Sequence, residues 1–353
     1  MIVFLIILLV LCAVFEMISL NTSFQNIRFE FHADRKSTEP DENFYMIEKA
    51  SNLSRLPVTY LRSRIIFPHV TLVSKDRALI MNSFERKSTQ RFFLLPLRSV
   101  TRSVPLSLSE RGVYWFEEAD LERGDFLGLK SSFTRTWGYT GIVVLPKRLN
   151  DSRSVETLSG VVGDFLSKPF LLRDPILSYG VREYTGADPM KSISWKKTAS
   201  SGRLMVREYD YTRERSCILC VLGSEKALEE EMEIASRIGR TAGEMLCAEN
   251  VQLHFFTNAY LQAMRPFGIY HAQAEAGSMD SFLDLLARVR TGESGRLDKL
   301  LDEMARISGT SMECILIAPR RDEISEQFRA MFEKRTQQSC TAVYAADFTE
   351  ELK

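Results

Sequence analysis

The sequence predicts an α+β multidomain chain: an N-terminal membrane helix over 1–20, an antiparallel β-sandwich over 24–150, a linker over 151–175 and an α/β domain over 176–353. Three observations predict it. The N-terminus is almost wholly apolar, the stretch from Phe24 to Asn150 holds short β-prone runs between turn residues, and apolar strands alternate with helical stripes after Pro175. A chain of 353 residues is long for one ordinary domain, and each of two domains would bury a core without covalent staples.

In "MIVFLIILLVLCAVFEMISL" Glu16 is the lone charge. Twenty helical residues would cover about 30 Å, the thickness of a bilayer core. The segment lacks the basic start and small-residue cleavage site of a signal peptide. Arg28, Arg35 and Lys36 follow it and nothing basic precedes it. The positive-inside rule then predicts a single-pass cell-membrane protein with its folded domains in the cytoplasm. The triplets "NTS", "NLS" and "NDS" are too short a pattern to overturn that.

Between Phe24 and Asn150, "NIRFEFHA" alternates, "VTLV" and "RALIMNSF" are short, and "RFFLLPLRSV" and "GIVVLP" are apolar and β-prone. Turn residues recur in "SERG", "LERGD" and "TWGYTG". An antiparallel sandwich fits this spacing. The 46 basic and 46 acidic residues cancel, which argues against a dedicated nucleic-acid binder. Locally they do not: between Ser51 and Pro105 ten Lys or Arg accompany two acids, Asp76 and Glu85. That is the pattern of a solvated strand face or of a surface near anionic lipid headgroups.

After the linker, which closes on Asp174-Pro175, residues 180–211 hold two alternating runs, "KSISWKK" and "RLMVREYDY", joined by "TASSG". They are expected to form a β-ribbon leading into the sheet. "SCILCVL", "VQLHFFT", "MECILIA" and "TAVYAA" are strands of the doubly buried kind. Between them, Leu228, Met232, Ala235, Ile238, Ala242 and Met245 trace one helical stripe. Phe282, Leu285, Leu286 and Val289 trace a second. A third follows Leu297, Leu300, Leu301, Met304 and Ile307, with Gly309 placed as its cap. Ile324, Phe328 and Met331 mark one more. The alternation implies a parallel sheet covered on both faces.

No motif for chemistry emerges. Cys12, Cys217, Cys220, Cys247, Cys314 and Cys340 show no paired framework and suit buried thiols in a reducing compartment. Cys217 and Cys220 form a C-x-x-C, but three apart on a strand they face opposite sides. His32, His69, His254 and His271 pair in sequence with no nucleophile, and "GESG" at 292–295 lacks the lysine and hydroxyl of a phosphate cradle. A non-enzymatic role with no cofactor, no nucleic acid and no small-molecule substrate is expected.

Residues 180–211 resemble the signature of the domain-of-unknown-function family 58, bacterial proteins with a von Willebrand factor A-like domain. The residues that carry the resemblance are Arg182-Glu183-Tyr184, Asp188-Pro189, Lys191, Ile193-Ser194-Trp195-Lys196 and Leu204-Met205-Val206-Arg207-Glu208-Tyr209. Upstream, "RGVYWFEEADLERGDFLGL" is similar to the family's Arg-Gly-x-Tyr segment leading to Asp-Pro-Phe-Gly-Leu. The resemblance runs from about residue 24 to the C-terminus. Phe126 stands where the family has proline, Ala187 where it has glycine, and Lys191 where arginine is frequent. Members commonly carry two N-terminal membrane helices, and one apolar segment is visible here.

The resemblance implies a Rossmann-like A-type domain, a MoxR-type AAA+ ATPase as protein partner, and an adaptor's part in assembling or remodelling a client complex. It also implies a Mg²⁺ loop, Asp-x-Ser-x-Ser, after the first core strand, offering the hard oxygen ligands that ion requires. This chain has Gly223, Ser224, Glu225, Lys226 and Ala227 there. The loop is degenerate, and no metal is expected. A metal-dependent binding module using Ser224 and Glu225 is the alternative. Arg182, Asp188, Lys196, Arg207 and Glu208 are expected to form an ion-pair network around Trp195 that fixes the domains or, with Tyr184 as a further signature residue, docks a partner.

Overall fold

The computed structural model describes residues 4–7, 10–11, 13–14, 24–66, 87–124, 130–167, 172–186, 188, 190–212, 215–307 and 312–349. The chain folds as two compact units. One comprises Met1–Lys147, Leu261–Ala263 and Leu283–Val289; the other comprises Arg148–Tyr260, Met264–Phe282 and Arg290–Lys353. Cys12, His69, the strands expected at 70–73 and 77–84, Phe126, Ala187, Pro189 and Gly309 lie outside the described residues.

The N-terminal expectation needs correction. Residues 4–7, 10–11 and 13–14 are helical, and the rest of 1–20 lies outside the described residues. Among the described residues no helix is long and apolar enough to cross a membrane. The transmembrane anchor, the membrane contact through it and the single-pass cell-membrane localisation are therefore not supported. A span needs about twenty helical residues, and the helical residues described in this segment are 4–7, 10–11 and 13–14.

In the first unit, β1 (Ile27–Ala33), β3 (Asn43–Asn52) and β6 (Ser99–Ser107) form an antiparallel three-stranded sheet in the order β1-β3-β6, and β2 (Ser37–Thr38) lies between the first two in sequence. β4 (Val58–Ile66), β5 (Lys87–Leu94), β7 (Gly112–Gly124) and β8 (Ser131–Val144) join β2 in a five-stranded sheet of order β2-β8-β7-β4-β5. Strict alternation builds these strands. Phe44, Met46, Glu48, Ala50 and Asn52 of β3 all turn inward while their neighbours do not. One core fills the sandwich, with Phe29, Phe31, Phe44 and Met46 from one sheet and Leu61, Ile65, Phe92, Phe116 and Ile142 from the other. Each such side chain contributes about 1.5–3 kcal/mol by leaving water.

The second unit opens with a helix where the linker is expected, α1 (Ser152–Ser167), whose buried positions are Ser154, Leu158, Val162 and Phe165. Asp151 caps it by accepting the Ser154 N–H at 2.8 Å. β9 (Leu172–Glu183), α2 (Trp195–Ser201) and β10 (Met205–Thr212) follow, with β9 and β10 paired antiparallel. Then come β11 (Ser216–Val221), α3 (Glu229–Ala248), β12 (Gln252–Thr257), β13 (Tyr260–Leu261), β14 (Tyr270–Ala274), α4 (Asp280–Arg288) and β15 (Val289–Arg290), of which Leu261 and Leu283–Val289 belong to the first unit. The chain ends with α5 (Leu297–Ile307), β16 (Glu313–Ala318), α6 (Glu323–Thr336), β17 (Cys340–Tyr344) and α7 (Ala346–Thr349). β13 pairs with β15.

The main sheet has the order β14-β12-β11-β16-β17. β11, β12, β16 and β17 run parallel and β14 runs antiparallel at one edge, so the sheet is mixed rather than all-parallel. On one face Ile218, Cys220, Phe256, Cys314 and Leu316 pack with Leu300, Leu301 and Met304 of α5 and Phe328 and Phe332 of α6. α3 approaches Leu253 and Phe282 so closely that a Cβ on Gly243 would lie 2.7 Å from the Phe282 ring. β11 is central, and the chain leaves it to one side through β12 and to the other through β16. The carboxyl ends of such strands are where open α/β sheets place ligands.

Candidate functional site

Two places follow from this topology: the head between β9 and β10, and the loop at the carboxyl end of β11.

The head differs from the expected ribbon. "KSISWKK" is a 3₁₀ turn at Met190–Ser192 followed by α2, and only Ile193 bridges to Val206. Ser192, Ile193, Ser194 and Val206 are buried as a small local core. Ser194 N–H donates to the Met205 carbonyl at 2.8 Å, Met205 N–H to Thr198 Oγ1 at 3.0 Å, and Tyr184 N–H to the Leu204 carbonyl at 2.9 Å. α2 stops at Gly202, whose φ of 69° lets its N–H reach the Thr198 carbonyl.

Within this frame Arg182 grips Asp188 with both Nη atoms, at 2.8 and 2.6 Å. Asp188 Oδ2 also accepts the Thr185 N–H at 2.9 Å and hydroxyl at 2.7 Å. The Arg182 guanidinium, with help from Thr185, holds the Asp188 carboxyl well below the usual carboxylate range. Arg203 pairs with Glu183 at 2.7 Å. Of the predicted network the fold thus joins Arg182 to Asp188. Lys196 and Arg207 point to solvent, and Glu208 sits in β10 opposite Gly180. Trp195, the first residue of α2, is 65 % exposed. Met190 and Leu204 are exposed in the same head, as are Lys191, Lys196 and Lys197.

The loop after β11 is crowded. Gly223 N–H donates to Asn258 Oδ1 at 2.9 Å, and Asn258 Nδ2 donates to the Gly295 carbonyl at 2.8 Å. A Cβ on Gly223 would stand 2.5 Å from the Ala259 Cα, so this position has no room for the carboxylate that the metal-loop pattern places there. Ser224 Oγ is buried and among the described residues has no hydrogen-bond partner, while Glu225 and Lys226 are exposed.

The nearby acids of α3 are already engaged. Glu231 accepts from Leu228 N–H at 3.0 Å and from Arg320, just past β16, at 2.6 and 3.2 Å. Burial opposes ionisation of Glu229, yet bonds from Arg290 and Thr291 hold its carboxyl below the usual range. A divalent ion would have to displace guanidinium groups. The donor set does not fit one, and among the described residues no group of three His, Cys, Asp or Glu could hold a metal. Asn258, Glu229, Glu231 and Arg320 escape sequence reasoning because their partners lie in distant segments.

The β12–β14 pairing brings His254 Nδ1 within 3.4 Å of His271 Nε2, and the His271 ring stacks on Phe256 at 4.5 Å between centroids. Burial lowers the affinity of both rings for protons. The two rings also stack on each other, 5.6 Å between centroids, and Glu303 acts on His271 in the opposite sense to burial. Cys217, Cys220, Cys247, Cys314 and Cys340 are free and buried. Burial pushes the Cys247 thiol up to about 11, and Cys220 and Cys314 are also raised, so these thiols are poor nucleophiles.

No protein-family model matches the chain. It is 26% identical over 196 residues to "Uncharacterized protein YeaD" of Bacillus subtilis, a match that covers 52% of this chain and 48% of that protein. The chain thus spans about half the length of this curated relative. Among solved structures it is similar to the CARDB domain of the PF1109 protein from Pyrococcus furiosus, at 12% identity and a TM-score of 0.22, over 35% of this chain and 97% of that one. It is similar also to Spo0M, a sporulation control protein from Bacillus subtilis, at 9% identity and a TM-score of 0.20, over 45% and 58% of the two chains.

Proposed function

We propose that this chain is a non-enzymatic adaptor that docks a protein partner through the head around Trp195. The family 58 resemblance makes a MoxR-type AAA+ ATPase the partner to test, with assembly or remodelling of a client complex as the task. One observation carries the reading: a tryptophan stands in solvent on a frame that is itself ordered by the Arg182–Asp188–Thr185 clamp. Exposed tryptophan beside long cations is the composition of an interface anchor, and a held frame lowers the ordering cost of binding. Lys191, Lys196 and Lys197 set the sign, favouring an acidic partner surface.

The test is Trp195→Ala against a purified MoxR-type ATPase. Binding is expected to weaken by about tenfold or more, with the thermal midpoint of the variant unchanged. A destabilised variant that binds normally would assign Trp195 to structure instead. The second reading, a metal-dependent module, draws on the unpartnered Ser224 hydroxyl but is opposed by the donor set around it.

A further inference from the structure

On the outer face of the sheet that contains β4, β7 and β8, aromatic rings lie across neighbouring strands, and glycine makes room for them. The Trp115 indole of β7 lies over Gly141, its register partner on β8, where a Cβ would stand 2.5 Å from the ring. The Tyr60 ring of β4 lies over Gly124, its register partner on β7, where a Cβ would stand 2.9 Å away. Tyr139 rests on Trp115 at 4.8 Å between centroids and 30° between planes. Phe133, Trp137 and Tyr139 are 65, 70 and 76 % exposed. The sandwich core draws on the other side of the strand, where Phe31 lies against Gly138 and Thr140 Oγ1 accepts the Ala33 N–H at 3.2 Å.

Guanidinium–carboxylate pairs stand between these rings. Arg135 is held at 3.1 Å by Glu118 and at 2.9 Å by Asp120, while Glu122 takes Arg62 at 3.0 Å and Arg64 at 2.8 Å. The register sets Glu118 opposite Trp137 and Glu122 opposite Phe133, so each of those rings has a polar neighbour already fixed in place. That composition selects among ligands. A nucleic acid or an anionic headgroup would have to break the pairs to reach the arginines. The centre of a protein interface is depleted of charged residues, whereas here they alternate with the rings. A sugar unit matches both components. Its C–H face is apolar and stacks on a ring, and its rim of hydroxyls donates and accepts. A preset ion pair offers an acceptor and donors at known positions.

We infer that this face binds a neutral oligosaccharide, with Trp137 as the main stacking platform. Tyr139, backed by Trp115, is the second platform, and the Arg135–Glu118–Asp120 cluster meets the hydroxyls of the bound sugar. The site lies in the first unit and does not depend on docking through Trp195.

The test is calorimetric titration of the full chain with cellohexaose, laminarihexaose, maltohexaose and the hexamer of N-acetylglucosamine. A polyoxyethylene detergent accommodates the apolar N-terminus without adding a sugar headgroup. A saturable heat with at least one of these probes is expected, and its affinity should hold between low and high salt because the ligand carries no charge. Trp137→Ala should weaken binding by about tenfold or more, with the thermal midpoint unchanged because that side chain lies in solvent. Trp137→Phe, which keeps a ring, should lose less, and Trp195→Ala should lose nothing. No heat with any of the hexasaccharides, as when the face meets a protein instead, overturns the proposal. So does binding that is indifferent to Trp137→Ala.

Discussion

Glu48 occupies an inward position of β3 whose equivalents hold Phe44, Met46 and Ala50, and its carboxyl takes a hydrogen bond from Ser63 on the facing sheet. Burial pushes the group up from 4.5 to about 7. Between those values the unfolded chain has released a proton that the folded chain keeps, so sandwich stability falls as pH rises through the window and levels off above it. The loss amounts to about 3 kcal/mol. Glu48→Gln keeps the acceptor for Ser63 and cannot ionise. Urea unfolding at about pH 5 and about pH 8 is expected to show that loss in the wild type and a nearly flat response in the variant. Composition hides such a residue. In "FYMIEKASN" the alternation is present, but a glutamate at an inward position makes the run look like a solvated stretch. Trp195 poses the reverse problem: sequence shows it among charges, and only the fold shows that it stands exposed.

At the scale of elements, the crowded Gly223 loop links β11 to β12 through Asn258. Gly223→Ala drives a methyl group into backbone rather than into a flexible side chain, so a loss of about 1–3 kcal/mol is expected in chemical denaturation. Calorimetric titration of Mg²⁺ or Mn²⁺ is expected to give no saturable heat; a stoichiometric heat lost in Ser224→Ala would support the metal-dependent reading. The four parallel strands and the α3 and α5 stripes are legible in the sequence because burial on both faces demands unbroken apolar runs. β14 is not, since "YHAQA" buries only Ala272 and Ala274 and offers no run. α2 is mistaken for a strand because it buries no residue and shows no helical period. α1 carries its stripe openly at Leu158, Val162 and Phe165, but the surrounding serines give it the composition of a linker.

For the molecule as a whole, the two units respond oppositely to acid. The first is weakened by alkali through Glu48. In the second, His254 and His271 hold protons less readily than the free side chain does, chiefly through burial. Below about pH 6.5 the unfolded chain takes up protons that the folded one refuses, so stability there falls as pH falls. Hydrogen exchange corrected for intrinsic rates reads each unit by itself. Protection of β3 is expected to drop between about pH 5 and pH 8 while that of β12 rises, and His254→Phe should reduce the second trend, leaving the part due to His271. Division into a β-rich half and an α/β half can be read from periodicity. Which residues meet across each half cannot, because pairing is set by crossovers that leave no local trace.

The position of β11 in the middle of its sheet has a consequence during synthesis. It leaves the ribosome ahead of both neighbours, and its second neighbour is complete only when Ala318 has been added. Until then the nascent chain holds an unfinished apolar strand, with Cys217 and Cys220, open to chaperones and oxidants. A chain cut short before Glu313 would never close that edge, and proteases rather than partners would meet it first.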